Sequence, residues 1–285
     1  MLRLARSLPA LALLLSSACG TSSPPVAAAD ATADATVALD ATAVDASPED
    51  AASADAADAG SSDDAGRADA TTDAGSTDAG SVPTPGFGAI SGPCGVLDEA
   101  LTSTSPAVFV NHIDFGNDPY DAADYARLSE GGREMIDDGN AGGSSLYSEV
   151  FSYELLHRCE GARLLKTETE ILYDPPQGRI TDVLVEIDGL KIGVSVTRAV
   201  AFPFDDPYPP ERARTLMEEK LSGILESTAH VAPADAWRKQ ILYVIAYAEG
   251  HVAVLEAALA GIDPAVRADT VVMITVSDGD DRFLY

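Results

Sequence analysis

The sequence predicts a mixed α/β domain, in which a central sheet is flanked by helices, behind a disordered acidic tether. Helix-like and strand-like hydrophobic periods alternate between about residues 139 and 277, and Asp188-Gly189 has the composition of a tight hairpin turn. Residues 21 to 85, in contrast, consist almost wholly of Ala, Asp, Ser, Thr, Gly and Pro. The 285 residues therefore divide into an N-terminal segment (1–18), a tether (19–86) and a globular domain (87–285).

Residues 1–18 have the features of a bacterial lipoprotein signal peptide. Arg3 and Arg6 precede an apolar run from residue 8 to residue 15, which is too short to span a bilayer. The tetrapeptide Ser16-Ser17-Ala18-Cys19 then resembles a lipobox whose leucine stands one position early. We expect a lipid on Cys19 that anchors the exported chain in a membrane; ordinary secretion and a buried thiol are the alternatives. Gly20 after the cysteine, in place of aspartate, favours the outer membrane, with the domain facing the periplasm or the cell surface.

The tether has too few apolar side chains to fold. Residues 21 to 85 contain 13 acidic residues and one basic residue, Arg67, which gives a net charge of −12. Such a segment cannot offset the entropy of ordering, and its like charges repel one another. We expect it to hold the globular domain away from a membrane surface.

The globular domain is also acidic. It contains 33 acidic and 15 basic residues, and thus carries a net charge of −18. A field of this sign repels phosphate backbones at long range, so nucleic acid is an expected partner only if a metal ion mediates the contact. The sequence indicates no particular protein partner.

Two cysteines remain once Cys19 is lipidated. Cys94 and Cys159 form a candidate disulfide in an oxidising envelope, and this bond would fix the N-terminal arm of the domain to a helix. Two separate buried thiols are the alternative. The four histidines are scattered and no Cys-x-x-Cys is present, so the sequence predicts no zinc site.

Periodicity assigns the elements of the domain in chain order. Apolar residues at helical spacing predict helices over 146–159, 211–227 and 251–260. Strand patterns predict neighbouring strands over 163–173, 180–187 and 190–197, followed by strands over 241–247 and 270–276. The segment from Asn111 to Asp121 predicts a polar loop. The order is helix, three strands, helix, strand, helix, strand.

This succession, from about Gly139 to Ser277, resembles the PD-(D/E)XK nuclease-like superfamily. The core of that restriction-endonuclease-like fold is a helix, a three-stranded meander, a crossover helix and another strand. The resemblance implies a divalent metal ion, held by an acidic residue on the first helix, an aspartate on the second strand and a Glu-x-Lys on the third.

The hallmark residues match only in part. Glu149 falls on the first helix and Asp182 on the second strand, whereas Ser195-Val196-Thr197 stands where the resemblance implies Glu-x-Lys. Ser195 and Thr197 are therefore degenerate motif positions. A relocated site would take a further carboxylate and a lysine from the first strand, where side chains alternate between the two faces. The candidate catalytic or metal-binding residues are Glu149, Asp182, Glu168 (or Glu170) and Lys166.

Two functions are compatible with these residues. The favoured one is a lipid-anchored envelope protein whose nuclease-like domain has lost catalysis and serves binding or a structural role, since neither Ser195 nor Thr197 supplies a charge. The alternative is an exported phosphodiesterase that uses Mg²⁺ or Mn²⁺, with a lysine to stabilise the developing charge. We expect the arrangement of Glu149, Asp182 and a third carboxylate to distinguish an enzyme from a binding protein.

Overall fold

The computed structural model describes residues 86–141 and 143–285. The predicted signal peptide (1–18), the lipidation site at Cys19 and the tether, apart from Gly86, lie outside the described residues. Within the described part of the chain, no helix is both long enough and apolar enough to cross a bilayer.

The predicted mixed sheet flanked by helices is confirmed. Its seven strands are Ala89–Ser91 (β1), Ala107–Asp114 (β2), Arg163–Thr167 (β3), Val183–Ile187 (β4), Leu190–Ala199 (β5), Lys239–Ala246 (β6) and Val271–Asp278 (β7). The helices are Asp98–Thr102 (α1), Glu130–Asp138 (α2), Leu146–Glu160 (α3), Pro210–His230 (α4), Glu249–Ala260 (α5) and Pro264–Arg267 (α6). The strands lie in the order β1-β2-β7-β6-β5-β4-β3.

Parallel pairing is confined to the middle of the sheet. Strands β2, β7, β6 and β5 run parallel, and antiparallel strands complete both edges. Every residue of β6 is buried, as expected for a parallel strand that is covered on both faces. The succession α3-β3-β4-β5-α4-β6 is the one that the resemblance to the PD-(D/E)XK core implies, and Asp188-Gly189 forms its predicted turn.

Two hydrophobic layers pack on the two faces of the sheet. Alternate side chains of β6 point to opposite faces, so Tyr243 joins the layer beneath α3, whereas Leu242 and Val244 join the layer beneath α4 and α5. The Tyr243 hydroxyl lies 2.6 Å from the Thr275 hydroxyl, which donates to the side chain of Asn111 at 2.6 Å. This buried chain of hydrogen bonds joins β6, β7 and β2.

The N-terminal arm is fixed to the end of α3. Cys94 and Cys159 form a disulfide across 65 positions of sequence. Next to it, the Glu160 carboxylate accepts hydrogen bonds from the backbone N–H groups of Gly95, Val96 and Leu97, at distances between 2.8 and 3.3 Å. One covalent bond and several charge-assisted hydrogen bonds therefore hold the arm at the same place.

Several segments differ from the sequence-based expectation. The second strand of the meander begins at Val183 rather than at residue 180, so Asp182 precedes the strand instead of lying on it. The first strand of the meander ends at Thr167 rather than at residue 173, so Glu168 and Glu170 lie in a turn and not on a strand face. The turn closes when Glu170 N–H donates to the Thr167 carbonyl at 3.1 Å, which ends the ladder with β4. The first four residues of the predicted polar loop, Asn111 to Asp114, are instead the second half of β2, whereas residues 115–121 lie outside any strand or helix.

Candidate functional site

Asp182 lies where β5 extends beyond its neighbour β4. Its backbone N–H donates to the Val194 carbonyl at 3.1 Å, and β4 itself begins at the next residue. On β5, the N–H of Val196 therefore has no partner in β4. The Asp182 carboxylate accepts that N–H at 2.6 Å and so continues the hydrogen-bond ladder with a side chain.

A lysine from α4 contacts the same residue of β5. The ammonium group of Lys220 donates to the Val196 carbonyl at 2.8 Å. Both backbone groups of Val196 are thus bonded to charged side chains, one from the approach to β4 and one from α4. Lys220 was not singled out from the sequence, although its spacing from Ala213, Met217 and Ile224 places it on the inward face of α4.

Two further carboxylates approach Asp182. Glu149 is buried in the first turn of α3, and the Asn140 amide lies 3.4 Å from one of its oxygens. Glu168 is half-buried in the turn after β3, and its carboxylate accepts the N–H of Ala141. Glu149, Glu168, Asp182 and Lys220 are called the Asp182 cluster below.

The electrostatics of the cluster favour a protonated carboxyl. Burial raises the pKa of Asp182 from 3.8 to about 7; Lys220 and the Val196 N–H oppose the shift, and the charges of Glu149 and Glu168 add to it. The pKa of Glu168 is also raised, mainly by burial, although the hydrogen bond from the Ala141 N–H acts to lower it. The cluster contains three carboxylates and one lysine, and the removal of water from Asp182 has the largest effect on the pKa of that residue.

The predicted lysine, Lys166, lies elsewhere. Its ammonium group is 2.8 Å from Asp235 and 3.2 Å from the carbonyl of Glu170. Burial alone would raise the pKa of Asp235, but the hydrogen bonds from Lys166 and from the N–H of Leu172 outweigh burial and lower it. The structure therefore brings Glu149, Asp182 and Glu168 together without Lys166, and places Lys220 in the cluster instead.

The degenerate positions on β5 remain uncharged in the fold. Ser195 is buried and Thr197 is half-buried. Because the two alternate with Val196 along the strand, they share the face of the sheet opposite to the Val196 side chain. The lysine of the cluster therefore comes from α4, rather than from β5.

The carboxylates do not form a compact metal-binding set. Within the described residues, three acidic groups come within 4.8 Å of one another only at Glu134, Asp138 and Glu170, which are all exposed. Glu149, Glu168 and Asp182 do not all lie within that distance of one another, so this arrangement does not fit a resident Mg²⁺ or Mn²⁺ ion, which requires closely placed oxygens at short, near-octahedral distances.

Comparison with known proteins gives no family. No protein-family model matches the chain. The chain is 48% identical over 123 residues to the AAC-rich mRNA clone AAC4 protein of Dictyostelium discoideum, a match that covers 41% of this chain and 18% of that protein. It is also similar to a solved structure of SfsA from Pyrococcus furiosus in complex with Ca²⁺, with 18% identity and a TM-score of 0.25. That match covers 48% of this chain and 57% of the other. Both matches span less than two thirds of the other protein, and neither carries an argument about function.

Proposed function

We propose that the chain is a lipid-anchored envelope protein whose α/β domain serves binding and does not hydrolyse phosphodiesters. The observation that carries the proposal is the engagement of Asp182 and Lys220 with the backbone of Val196, at 2.6 and 2.8 Å. In this arrangement the two side chains supply the hydrogen bonds that β4 does not provide to β5 at Val196. Each satisfies a backbone group that would otherwise lack a partner, which is a structural role.

The charge state of the cluster also supports a structural role. With its pKa near 7, Asp182 carries a proton about half of the time at neutral pH. A protonated carboxyl is a poor ligand for a divalent cation, because the ligand must first lose its proton. Ser195 and Thr197 supply neither the carboxylate nor the lysine that the family resemblance implies on β5.

The envelope location is proposed from the sequence together with the disulfide. Cys19 follows a basic start and a short apolar run, and the acidic tether provides the spacer. The bond between Cys94 and Cys159 suits an exported protein, because disulfides persist in oxidising compartments. The lipid at Cys19 would make the outer membrane the first partner of this chain.

Phosphodiester hydrolysis with Mg²⁺ or Mn²⁺ is the second candidate function. The observation that favours it is Lys220, which gives the Asp182 cluster three carboxylates and one lysine. This is the same inventory of charges that the resemblance implies, although Glu168 and Lys220 replace the two missing residues of β5.

A cleavage assay tests the proposal directly. The full chain is incubated with plasmid DNA, single-stranded DNA and an aryl phosphodiester in Mg²⁺ or Mn²⁺, beside the variants Asp182→Ala and Lys220→Ala. We expect the wild-type rate to equal the rates of both variants in every reaction. Metal-dependent cleavage that both substitutions abolish would overturn the proposal and establish the second candidate.

A further inference from the structure

Two adjoining cavities lie at the carboxyl ends of the parallel strands β2, β6 and β7. The first, of about 320 Å³, is bounded by His112 of β2, by Tyr247 after β6 and by Asp278 at the end of β7. The second, of about 380 Å³, lies between the loop before α4 and the first turns of α5. Because Tyr247 and Ala248 line both cavities, we treat them as one groove. The carboxyl end of a parallel sheet is the usual position of ligand sites in α/β folds.

The groove has an aromatic wall. Phe204 and Tyr247 line the groove with their ring centres 4.9 Å apart. Phe202 packs on Phe204 at 4.8 Å outside the two cavities, with 62% of its surface exposed. The chain already places a cation against this wall, since the guanidinium carbon of Arg282 lies 4.8 Å from the centre of the Phe204 ring. Aromatic faces attract cations, and the attraction increases when water is removed.

The charges that line the groove are predominantly negative. Neither cavity is lined by a lysine or an arginine among the residues that the structure describes. Glu249 is bonded to His112 at 2.8 Å, and Asp281 accepts the hydroxyl of Ser277 at 2.5 Å. The carboxylates that line the two cavities are Asp205, Asp206, Glu249, Asp278 and Asp281.

The spacing of these carboxylates favours a bulky cation over a metal ion. In the described part of the chain, the three acidic groups that converge within 4.8 Å lie outside the groove. An anion would be repelled by the carboxylates, and Glu249 already provides a negative group at the amino end of α5. Negative charge spread along an aromatic wall matches a ligand that combines a positive charge with apolar groups.

We propose that the groove binds an organic cation, namely a quaternary ammonium compound or an alkyl polyamine. The ammonium group contacts the half-buried ring of Tyr247, which lines both cavities, and the carboxylates of Asp205 and Asp206 balance its charge. No residue of the Asp182 cluster lines the groove, so the inference goes beyond the proposed function and does not depend on it. A chain that cleaved phosphodiesters would still have this groove.

Calorimetric titration of the full chain tests the inference. The probes are choline, its uncharged carbon isostere 3,3-dimethyl-1-butanol, spermidine, CaCl₂ and a set of neutral monosaccharides. The variants are Tyr247→Leu, which keeps an apolar side chain but removes the ring, and the pair Asp205→Asn and Asp206→Asn. The control is Asp188→Asn, which removes one exposed carboxylate from the β4–β5 turn, at the opposite end of β5. Urea unfolding of each variant verifies that it is folded.

We expect choline or spermidine to bind and the uncharged isostere not to bind. Tyr247→Leu should weaken binding by about threefold to tenfold, the range of a cation–π contact, while Asp188→Asn leaves the affinity unchanged. The two Asp→Asn changes should weaken binding most at low salt, where exposed charges are least screened. Equal binding of the isostere, binding of Ca²⁺ or a monosaccharide alone, or no saturable binding of either amine up to about 10 mM would each overturn the inference.

Discussion

Replacing Asp182 by asparagine should change how the stability of the domain depends on pH. The folded chain holds the Asp182 carboxyl with a pKa of about 7, against 3.8 for an unperturbed group. The folded state therefore binds this proton more tightly than the unfolded state does. As the pH rises above 3.8, the Asp182 carboxyl ionises first in the unfolded chain. The free energy of unfolding therefore decreases until this carboxyl also ionises in the folded chain near pH 7.

The magnitude follows from the size of the shift. A difference of about three pKa units at 1.36 kcal/mol per unit gives at most about 4 kcal/mol of lost stability above pH 7. Between pH 5 and pH 8, a range that avoids the isoelectric point near 4.2, the change amounts to about 2–3 kcal/mol. The amide introduced by Asp182→Asn would not titrate, and its oxygen can still accept the N–H of Val196. The stability of this variant relative to wild type should therefore increase by the same amount from pH 5 to pH 8.

Urea unfolding at several pH values between these limits provides the measurement. Subtracting the free energy of unfolding of the variant from that of the wild type removes the contribution of groups that titrate alike in both chains. The variant Asp188→Asn, which makes the same chemical change in an exposed turn outside the cluster, serves as the control. If the Asp182→Asn curve ran parallel to wild type, Asp182 would be an ordinary ionised carboxylate in the folded chain, and the electrostatic description of the cluster would be refuted.

Other parts of the structure give further predictions. Gly132→Ala should lower the free energy of unfolding by about 3 kcal/mol in urea titrations, because a Cβ there would overlap the Glu154 carboxylate and displace a buried charge from its partners; an unchanged midpoint would contradict this. Replacing Cys94 and Cys159 by serine should lower the free energy of unfolding by up to about 4 kcal/mol, because the disulfide closes a loop of 65 positions. In urea titrations, a reducing agent should then destabilise only the wild type. Cys19→Ser should abolish incorporation of labelled palmitate in a bacterial host; labelling that persists would exclude Cys19 as the lipidation site.

The sequence predicted those elements whose own apolar pattern or turn composition is uninterrupted. The hairpin at Asp188-Gly189 and the helix before it can be recognised from turn composition and from hydrophobic period alone. Strand β2 lies far from its partner β7 in sequence, and its second half carries the polar residue Asn111. In the fold that side chain is buried and bonded to Thr275, so its polarity is satisfied within the sheet. A pattern of apolar residues contains no information about a partner so distant.

The candidate site was predictable to a similar extent. Glu149 and Asp182 could be placed because each is fixed by a local element: Glu149 lies in the first turn of α3, and Asp182 immediately precedes β4. The prediction of Lys166 as the lysine of the site was wrong, because the sequence does not show which lysine approaches β5. Only tertiary packing brings Lys220 of α4 to that strand. Lys166 lies near the end of an edge strand, where Asp235 pairs with it.

The Asp182 cluster contains more negative than positive charge, and either a proton or a cation can correct the imbalance. Burial, together with the charges of Glu149 and Glu168, raises the pKa of Asp182 to about 7, so a proton can correct the imbalance near neutral pH. A divalent cation bound by these carboxylates would keep Asp182 ionised and lower its pKa, so the loss of stability between pH 5 and pH 8 would disappear. Repeating the wild-type unfolding series in Mg²⁺ therefore distinguishes the two candidate functions without a substrate. An unchanged pH dependence is expected for a structural cluster, whereas a flattened one would indicate a metal site and favour the phosphodiesterase.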